Sequence, residues 1–239
     1  MYNYGIKDYA LNWFVSYLNN RSQTVNINSS LSDFKHINIG IPQGSILGPL
    51  LFIIYVNSLP DSTSSKCIMY ADDTTLLCSS SDPSILQTEI DKNMDNIARW
   101  FHENKLTLNI KKTKLMVFGT RHLLDKFDNI SLSYANNAVD RVDSFKYLGV
   151  VFDPQLSWDN HVNRISSNIS KRIGIIRRVK YYLPPRTLNM LANALVMPHF
   201  DYCSTVWSNC SAHLSNSLQI LHNRLARILL TADKKNSNK

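Results

Sequence analysis

Residues 67–78 read CIMYADDTTLLC, with two adjacent carboxylates, Asp72 and Asp73, at the centre of the run. Residues 67–70 and 74–78 are apolar or β-branched, which predicts a short hairpin with the acidic pair at or beside its turn. Adjacent carboxylates repel each other, and a bound divalent cation would neutralise this repulsion. The pair between two hydrophobic strands therefore indicates a cation site. Acidic pairs are also common in solvated turns, so this pair alone does not define a site.

A glycine-rich segment precedes the acidic pair. Residues 40–52 read GIPQGSILGPLLF and hold three of the chain's seven glycines before they become an apolar run typical of a buried helix. Glycines let a backbone approach a base pair or a sugar closely, while the following helix anchors the loop. The alternative is a tight turn before a core helix.

The rest of the chain mixes strand and helix patterns. The apolar periodicities predict helices over residues 7–18 and 83–101, the second capped by Asp82. Alternating apolar residues at 21–27 and 34–39 predict two strands that pair as a hairpin. Apolar runs predict further strands at residues 115–118 and 145–152. Beyond Pro154 the pattern is mainly helical, with breaks at Pro184, Pro185 and Pro198.

The net charge of +8 is concentrated in the C-terminal third of the chain. Residues 155–239 carry 12 Lys and Arg against 3 Asp and Glu, whereas residues 1–154 carry 14 against 15. Several basic residues there alternate with isoleucines and tyrosines: Arg164, Lys171, Arg172, Arg177, Arg178, Lys180 and Arg186. This pattern favours a basic helical face that follows a phosphate backbone, and a solvated amphipathic helix is the alternative.

Composition favours a globular protein that works inside the cell, in the nucleus or the cytoplasm. With 44% hydrophobic residues, the chain can bury a sizeable core. The longest apolar run, residues 50–56, is too short to span a bilayer, and no secretory signal is recognisable. Four cysteines are too few for a disulfide scaffold. Residues 199–213 contain two cysteines and two histidines, but without a close Cys-x-x-Cys pair they favour a packed segment over a zinc site.

The motifs together resemble one family. Residues 40–45 with Gly48-Pro49, followed by the sequence YADD at 70–73, are similar to the reverse transcriptases of non-LTR, LINE-type retrotransposons. Residues 109–114 and 147–149 extend the resemblance over nearly the whole chain. It implies an α+β fold: a partial polymerase palm with an antiparallel sheet and helices over residues 1–153, and a basic, mainly helical thumb over residues 154–239.

The resemblance also implies roles at the catalytic centre. Asp72 and Asp73 would be catalytic and would hold metal, with two Mg²⁺ ions in the intact enzyme. In two-metal polymerase sites the ions lie about 3.5–4 Å apart, one activating the attacking 3′-hydroxyl and the other stabilising the leaving pyrophosphate. Gln43, Gly44 and Tyr70 would line the nucleotide and template pocket.

Two further motifs have implied roles outside the metal site. Lys112 best fits the spacing of the lysine that protonates the leaving pyrophosphate, although a charged strand end is the alternative for any one lysine of this motif. Tyr147, Leu148 and Gly149 are similar to the primer grip, a hairpin that supports the 3′ end of the primer. An ordinary strand that ends at glycine is the alternative.

The implied activity is RNA-directed DNA synthesis by the parent protein. The implied partners are an RNA template, a DNA primer, deoxynucleoside triphosphates and an intact element protein, and no membrane is involved. The family has a third catalytic aspartate on an upstream strand, and we expect this chain to lack that strand and the fingers. Loss of this aspartate would lower the rate of DNA synthesis by roughly three or more orders of magnitude. We therefore expect weak or no activity from the chain alone. A non-catalytic nucleic-acid-binding remnant and a structural interaction domain are the alternatives.

Overall fold

The computed structural model describes residues 4–42 and 44–236, with side chains as far as residue 230. Its helices are α1 Asp8–Leu18, α2 Gly48–Val56, α3 Pro83–Glu103, α4 Arg121–Lys126, α5 Asp159–Val179, α6 Pro185–Leu195, α7 Met197–Asp201, α8 Ser204–Trp207 and α9 Ala212–Asn236. Its strands are β1 Arg21–Gln23, β2 Asn26–Ile27, β3 Ser30–Leu31, β4 Lys35–Ile37, β5 Lys66–Tyr70, β6 Asp73–Leu77, β7 Ser133–Tyr134, β8 Asn137–Ala138, β9 Phe145–Tyr147 and β10 Val150–Phe152. None of the helices in these described ranges is long and apolar enough to cross a membrane.

The strands form antiparallel pairs: β1 with β4, β2 with β3, β5 with β6, β7 with β8, and β9 with β10. Together with the helices they confirm the predicted α+β fold class. The chain divides into two compact units, one of Met1–Ser79 with Asp95–Asn104 and one of Ser80–Met94 with Lys105–Lys239. Residues 105–153, which the resemblance assigns to the palm, therefore share a compact unit with the C-terminal helices.

In the first unit, the predicted helix and hairpin at residues 7–39 both form. The hairpin has β1–β4 at its base and β2–β3 at its tip, where Asn28 and Ser29 take positive φ and turn the chain. The buried hydrophobic residues of this unit are Leu51, Val56, Leu59, Ile97 and Trp100. The indole nitrogen of Trp100 donates a hydrogen bond of 3.1 Å to Ser58 Oγ.

The second unit is built around α5. One face of this helix is buried because isoleucines and a valine recur every three or four residues: Val162, Ile165, Ile169, Ile173 and Ile176. They share a core with Leu188 and Ala192 of α6 and with Leu218 and Leu225 of α9.

In α3, the Oδ1 atom of Asp82 accepts hydrogen bonds from the amides of Ser84 and Ile85, at 2.8 and 3.1 Å, which confirms the predicted cap.

Two predicted strands are wrong in this unit. Residues 145–152 form the β9–β10 hairpin, because Leu148 and Gly149 both take positive φ, +43° and +88°, and reverse the chain. Residues 115–118 do not form a strand, and Leu115 makes only one parallel bridge, with Arg141. Apolar periodicity marks residues that can pack in a sheet, but it does not show whether a partner strand is in reach.

Candidate functional site

Asp72 and Asp73 lie at the tip of the β5–β6 hairpin. The register starts with Lys66 opposite Leu77 and ends with Tyr70 opposite Asp73. Residues 71 and 72 therefore form a two-residue loop, and Ala71 takes a positive φ of +53°. Both carboxylates are exposed to solvent. The hairpin that the sequence predicts thus forms, with one carboxylate in its loop and the other at the start of β6.

Tyr70 and Asp73 project from the same face of this hairpin. Residues directly opposite each other in an antiparallel pair have Cβ atoms about 4.5–5.5 Å apart. Tyr70 is 63% exposed, and Ile68 and Leu77 on the same face are exposed as well. The carboxylate of Asp73 therefore borders an open apolar surface, against which a planar group such as a base could lie.

The acidic pair fits a hard divalent cation. Mg²⁺ prefers oxygen ligands and is commonly held by one or two carboxylates together with water and substrate phosphates. Within the described residues, no third histidine, cysteine, aspartate or glutamate joins Asp72 and Asp73 in a metal-binding group. The two carboxylates could hold such an ion only in part, which leaves positions for water and substrate oxygens.

The glycine-rich loop has an open backbone. Gly40 and Gly44 take positive φ, +72° and +77°, and no atom lies within 4 Å of a Cβ placed on either residue. Ser45 Oγ donates to the carbonyl of Pro42 at 2.8 Å and accepts from the amide of Gly48 at 3.0 Å, which ties the loop to the start of α2. Gly44 is exposed. Gln43, the other predicted pocket residue of this loop, lies outside the described residues.

Arg21 holds the base of this loop, a role that the sequence did not reveal. Its Nε atom donates to the carbonyl of Leu18 at 3.0 Å, and its Nη2 atom donates to the carbonyls of Ile39 and Gly40. One guanidinium thus joins the end of α1 to the entry of the loop. The contacts with residues 39 and 40 span 18 and 19 positions, beyond the reach of a local sequence pattern.

Lys112 lies in a turn of the second unit, whereas the two carboxylates belong to the first unit. The amides of Lys112 and Thr113 both donate to the carbonyl of Asn109 at 3.0 Å, which shapes the turn. Lys112 is exposed, and it makes no ion pair with any described residue. Lys114, by contrast, is half-buried and paired with Asp140. Of these two lysines, Lys112 is the one with a charge available to a ligand.

Tyr147, Leu148 and Gly149 form the turn of the β9–β10 hairpin, with Tyr147 opposite Val150. Two successive positive φ angles are typical of a tight hairpin turn. Side chains from the helical region contact this turn: the hydroxyl of Tyr202 donates to the carbonyl of Leu148 at 2.6 Å, and Arg164 donates to the carbonyl of Gly149. No local sequence pattern indicates either contact.

Two histidines beside this hairpin lie near arginine side chains. His161 is 2% exposed, and its Nδ1 atom accepts a hydrogen bond of 3.2 Å from the amide of Val151. Burial and the charge of Arg164 lower the pKa of His161. Burial and the charges of Arg172 and Arg164 likewise lower the pKa of His199. Both imidazoles are therefore held toward their neutral form.

The solvent-exposed side of α5, away from its buried isoleucines, carries positive charge. Lys171, Arg177 and Arg178 are exposed, and none forms an ion pair with another residue in the described part of the chain. Asp159, in the first turn of α5, is its only acidic residue. The C-terminal half of the helix therefore offers cations to an anionic partner.

Comparison with known proteins places the chain in a family. Residues 2–152 match the family described as reverse transcriptase (RNA-dependent DNA polymerase). The chain is 27% identical over 225 residues to the probable RNA-directed DNA polymerase from transposon BS of Drosophila melanogaster, covering 90% of this chain and 25% of that protein. It is 23% identical over 226 residues to the RNA-directed DNA polymerase from mobile element jockey of the same organism, covering 89% and 24%.

A third relative is the retrovirus-related Pol polyprotein from type-1 retrotransposable element R1 of Nasonia vitripennis. It is 25% identical over 176 residues, covering 70% of this chain and 52% of that protein. The chain thus spans about a quarter of the length of the first two relatives, and no solved structure matches it significantly. The predicted resemblance to reverse transcriptases of LINE-type, non-LTR elements is confirmed. Because the family match covers more than half of its residues, the chain belongs to the reverse transcriptase family.

Proposed function

We propose that this chain is part of an RNA-directed DNA polymerase, in which Asp72 and Asp73 hold the catalytic metal. The observation that carries the proposal is the position of the two carboxylates, exposed together at the tip of a hairpin within the segment that matches the family. The substrates would be an RNA template, a DNA primer and deoxynucleoside triphosphates, and an intact element protein is a possible further partner. These nucleic acids meet in the nucleus or the cytoplasm, where we place the activity.

Two Mg²⁺ ions at these carboxylates would activate the primer 3′-hydroxyl and neutralise charge on the triphosphate. The chain's own residues would do the remaining work. Tyr70 would line the nucleotide pocket on the face of the β5–β6 hairpin that it shares with Asp73. Gly44, with Gln43 beside it, would let the template and nucleotide approach the backbone closely. Lys112 would donate a proton to the leaving pyrophosphate. Tyr147, Leu148 and Gly149 would support the 3′ end of the primer.

We further propose that the chain alone is a weak polymerase. Two carboxylates supply fewer ligands than the three that the family resemblance calls for, so the reacting oxygens would be poorly placed. A loss of several kcal/mol of transition-state stabilisation corresponds to roughly three or more orders of magnitude in rate.

A primer-extension assay with an RNA template, a labelled DNA primer and Mg²⁺ tests both statements. We expect slow addition of single nucleotides, abolished by Asp72→Asn and by Asp73→Asn. The exposed Asp61 of the same unit offers a matched control, and Asp61→Asn should change nothing. Fast, extensive synthesis that depends on Asp72 would contradict the weak activity, whereas synthesis unaffected by either substitution would contradict the site.

The basic face of α5 favours a second function, binding of nucleic acid without catalysis. Cations that displace counterions from phosphates make the binding constant fall with salt, with a logarithmic slope of about −0.9 per phosphate contact on duplex DNA. We expect a steep slope for binding to an RNA–DNA hybrid, made shallower by about one unit in Arg177→Gln. Lys92→Gln, an exposed charge removed from α3, should leave the slope unchanged. Salt-independent binding would contradict both nucleic-acid functions.

A further inference from the structure

The turn at Leu148 and Gly149 is anchored to the helical region through three hydrogen bonds. Tyr202, which follows α7, donates its hydroxyl to the carbonyl of Leu148 at 2.6 Å. Arg164 of α5 donates to the carbonyl of Gly149. One turn earlier on α5, His161 accepts the amide of Val151 at 3.2 Å. The carbonyls of residues 148 and 149 and the amide of residue 151 therefore have side-chain partners in the C-terminal, mainly helical part of the chain.

Tyr202 is itself held in place. The indole nitrogen of Trp207 donates to the carbonyl of Tyr202 at 3.0 Å, and Trp207 is only 5% exposed. The ring of Trp207 packs against His161, with centroids 5.6 Å apart. His161, Trp207 and Tyr202 thus form a continuous connection from β10, through the core, back to the tip of the hairpin.

Burial of Val150 and Val151 holds the second strand of the hairpin, and the anchors add contacts to the turn itself. The paired strands β9 and β10 have only three residues each, and an isolated two-stranded hairpin is marginally stable in water. A cavity of about 350 Å³ lies beside the turn, lined by Lys146, Gly149, Asn168 and Pro198 among others. Arg164 and Tyr202 also line this cavity, so their hydrogen bonds to the turn reach across its edge and help to set the position of the turn.

We propose that Tyr202 and Arg164 are positioning residues, which hold the Leu148–Gly149 turn where it supports the 3′ end of the primer. This rests on the proposed function of the turn as a primer support. The helical region then has two separable roles: the exposed cations of α5 attract the nucleic acid as a whole, and the two anchors determine where the turn meets the primer end.

The test compares two RNA–DNA hybrids with the same number of base pairs, one with a recessed DNA 3′ end on a longer RNA and one with blunt ends. Affinities for both are measured by fluorescence anisotropy, and their ratio gives the preference for the recessed end. We expect the unsubstituted chain to prefer the recessed end. Tyr202→Phe and Arg164→Gln should each reduce the ratio about fivefold, the effect expected for one lost hydrogen bond. Arg164→Lys, which keeps a cationic donor, should restore most of it.

Matched controls separate positioning from general effects. Tyr182→Phe removes a hydroxyl from a tyrosine that is 84% exposed and should leave the ratio unchanged. Arg177→Gln removes an exposed charge from the same helix as Arg164, and it should weaken binding to both hybrids equally. In parallel, amide hydrogen exchange of residues 150–152 should become faster in Tyr202→Phe and Arg164→Gln but not in the controls.

The outcomes distinguish the inference from the proposed function. If the unsubstituted chain shows no preference for the recessed end, the primer support itself is wrong, and the positioning roles are lost with it. If the chain shows the preference and Tyr202→Phe and Arg164→Gln retain it in full, the positioning roles alone are overturned. Unchanged hydrogen exchange at β10 in both variants would also overturn them, because the turn would then not depend on these anchors.

Discussion

A Cβ atom placed on Gly149 would lie 3.0 Å from Cε1 of Tyr202. The same glycine has a φ of +88°, a conformation that costs an L-residue about 1–2 kcal/mol. Gly149→Ala therefore combines backbone strain with a steric clash against a tyrosine whose hydroxyl is bonded to the neighbouring carbonyl. We expect the free energy of unfolding, measured by urea denaturation, to fall by at least this amount.

Gly174 provides the matched control for this substitution. It lies inside α5, and no atom is within 4 Å of a Cβ placed on it. Gly174→Ala should raise the free energy of unfolding by roughly 0.5–1 kcal/mol, because alanine loses less backbone entropy than glycine in a helix. Equal effects of the two substitutions on the free energy of unfolding would contradict the close packing of Gly149 against Tyr202.

Stability should fall at acidic pH because of His161. The pKa of His161 is lowered below its ordinary value of 6.5, so the folded chain binds this proton less readily than the unfolded chain does. The contribution of His161 is therefore fully present above pH 6.5 and is lost as the pH falls through the pKa of the folded state. A protonated Nδ1 atom also could not accept the amide of Val151. Chemical denaturation at a series of pH values between 7.5 and 5 measures this loss.

His161→Gln removes the titrating group and should make stability less dependent on pH over this range. Some dependence should remain, because the pKa of His199 is lowered as well. If His161→Gln left the pH profile unchanged, the imidazole would not be the neutral acceptor that the structure shows.

Arg21 should control the order of the glycine-rich loop. Its guanidinium donates to the carbonyls of Leu18, Ile39 and Gly40, so Arg21→Gln leaves the loop entry without its main anchor. We expect faster amide hydrogen exchange over residues 39–48 and no change in α5. Arg99→Gln, an exposed arginine in the same unit, is the control. Equal exchange in the two variants would contradict the anchoring role.

Local patterns in the sequence predicted the elements whose causes are local. The β5–β6 hairpin follows from two apolar runs around a polar loop, and α3 from a capping Asp82 before a periodic apolar face. The hairpin at residues 145–152 was predicted as one strand, because its turn contains Leu148, which rarely takes a positive φ. The tertiary contacts that stabilise this turn come from residues far along the chain.

The residues of the candidate site also fall into two groups, those that a local motif predicts and those that it does not. Asp72, Asp73 and Tyr70 were found from one motif, because they lie within four residues of one another. The contacts of Arg21, Arg164 and Tyr202 were not predicted, because a side chain that bonds a distant carbonyl has no characteristic neighbours in sequence. These three residues share one feature that a family motif cannot supply, which is a contact partner defined only by the fold.

We expect Asp72 and Asp73 to bind a divalent cation at the tip of the β5–β6 hairpin. Titration with Mn²⁺ tests it directly, because this paramagnetic ion broadens the NMR signals of amides near its site. We expect selective broadening at residues 70–74, reversed by excess Mg²⁺ and lost in the double variant Asp72→Asn with Asp73→Asn, but kept in Asp61→Asn. Broadening that persists at residues 70–74 in the double variant, or that never occurs there in the unsubstituted chain, would contradict the claim.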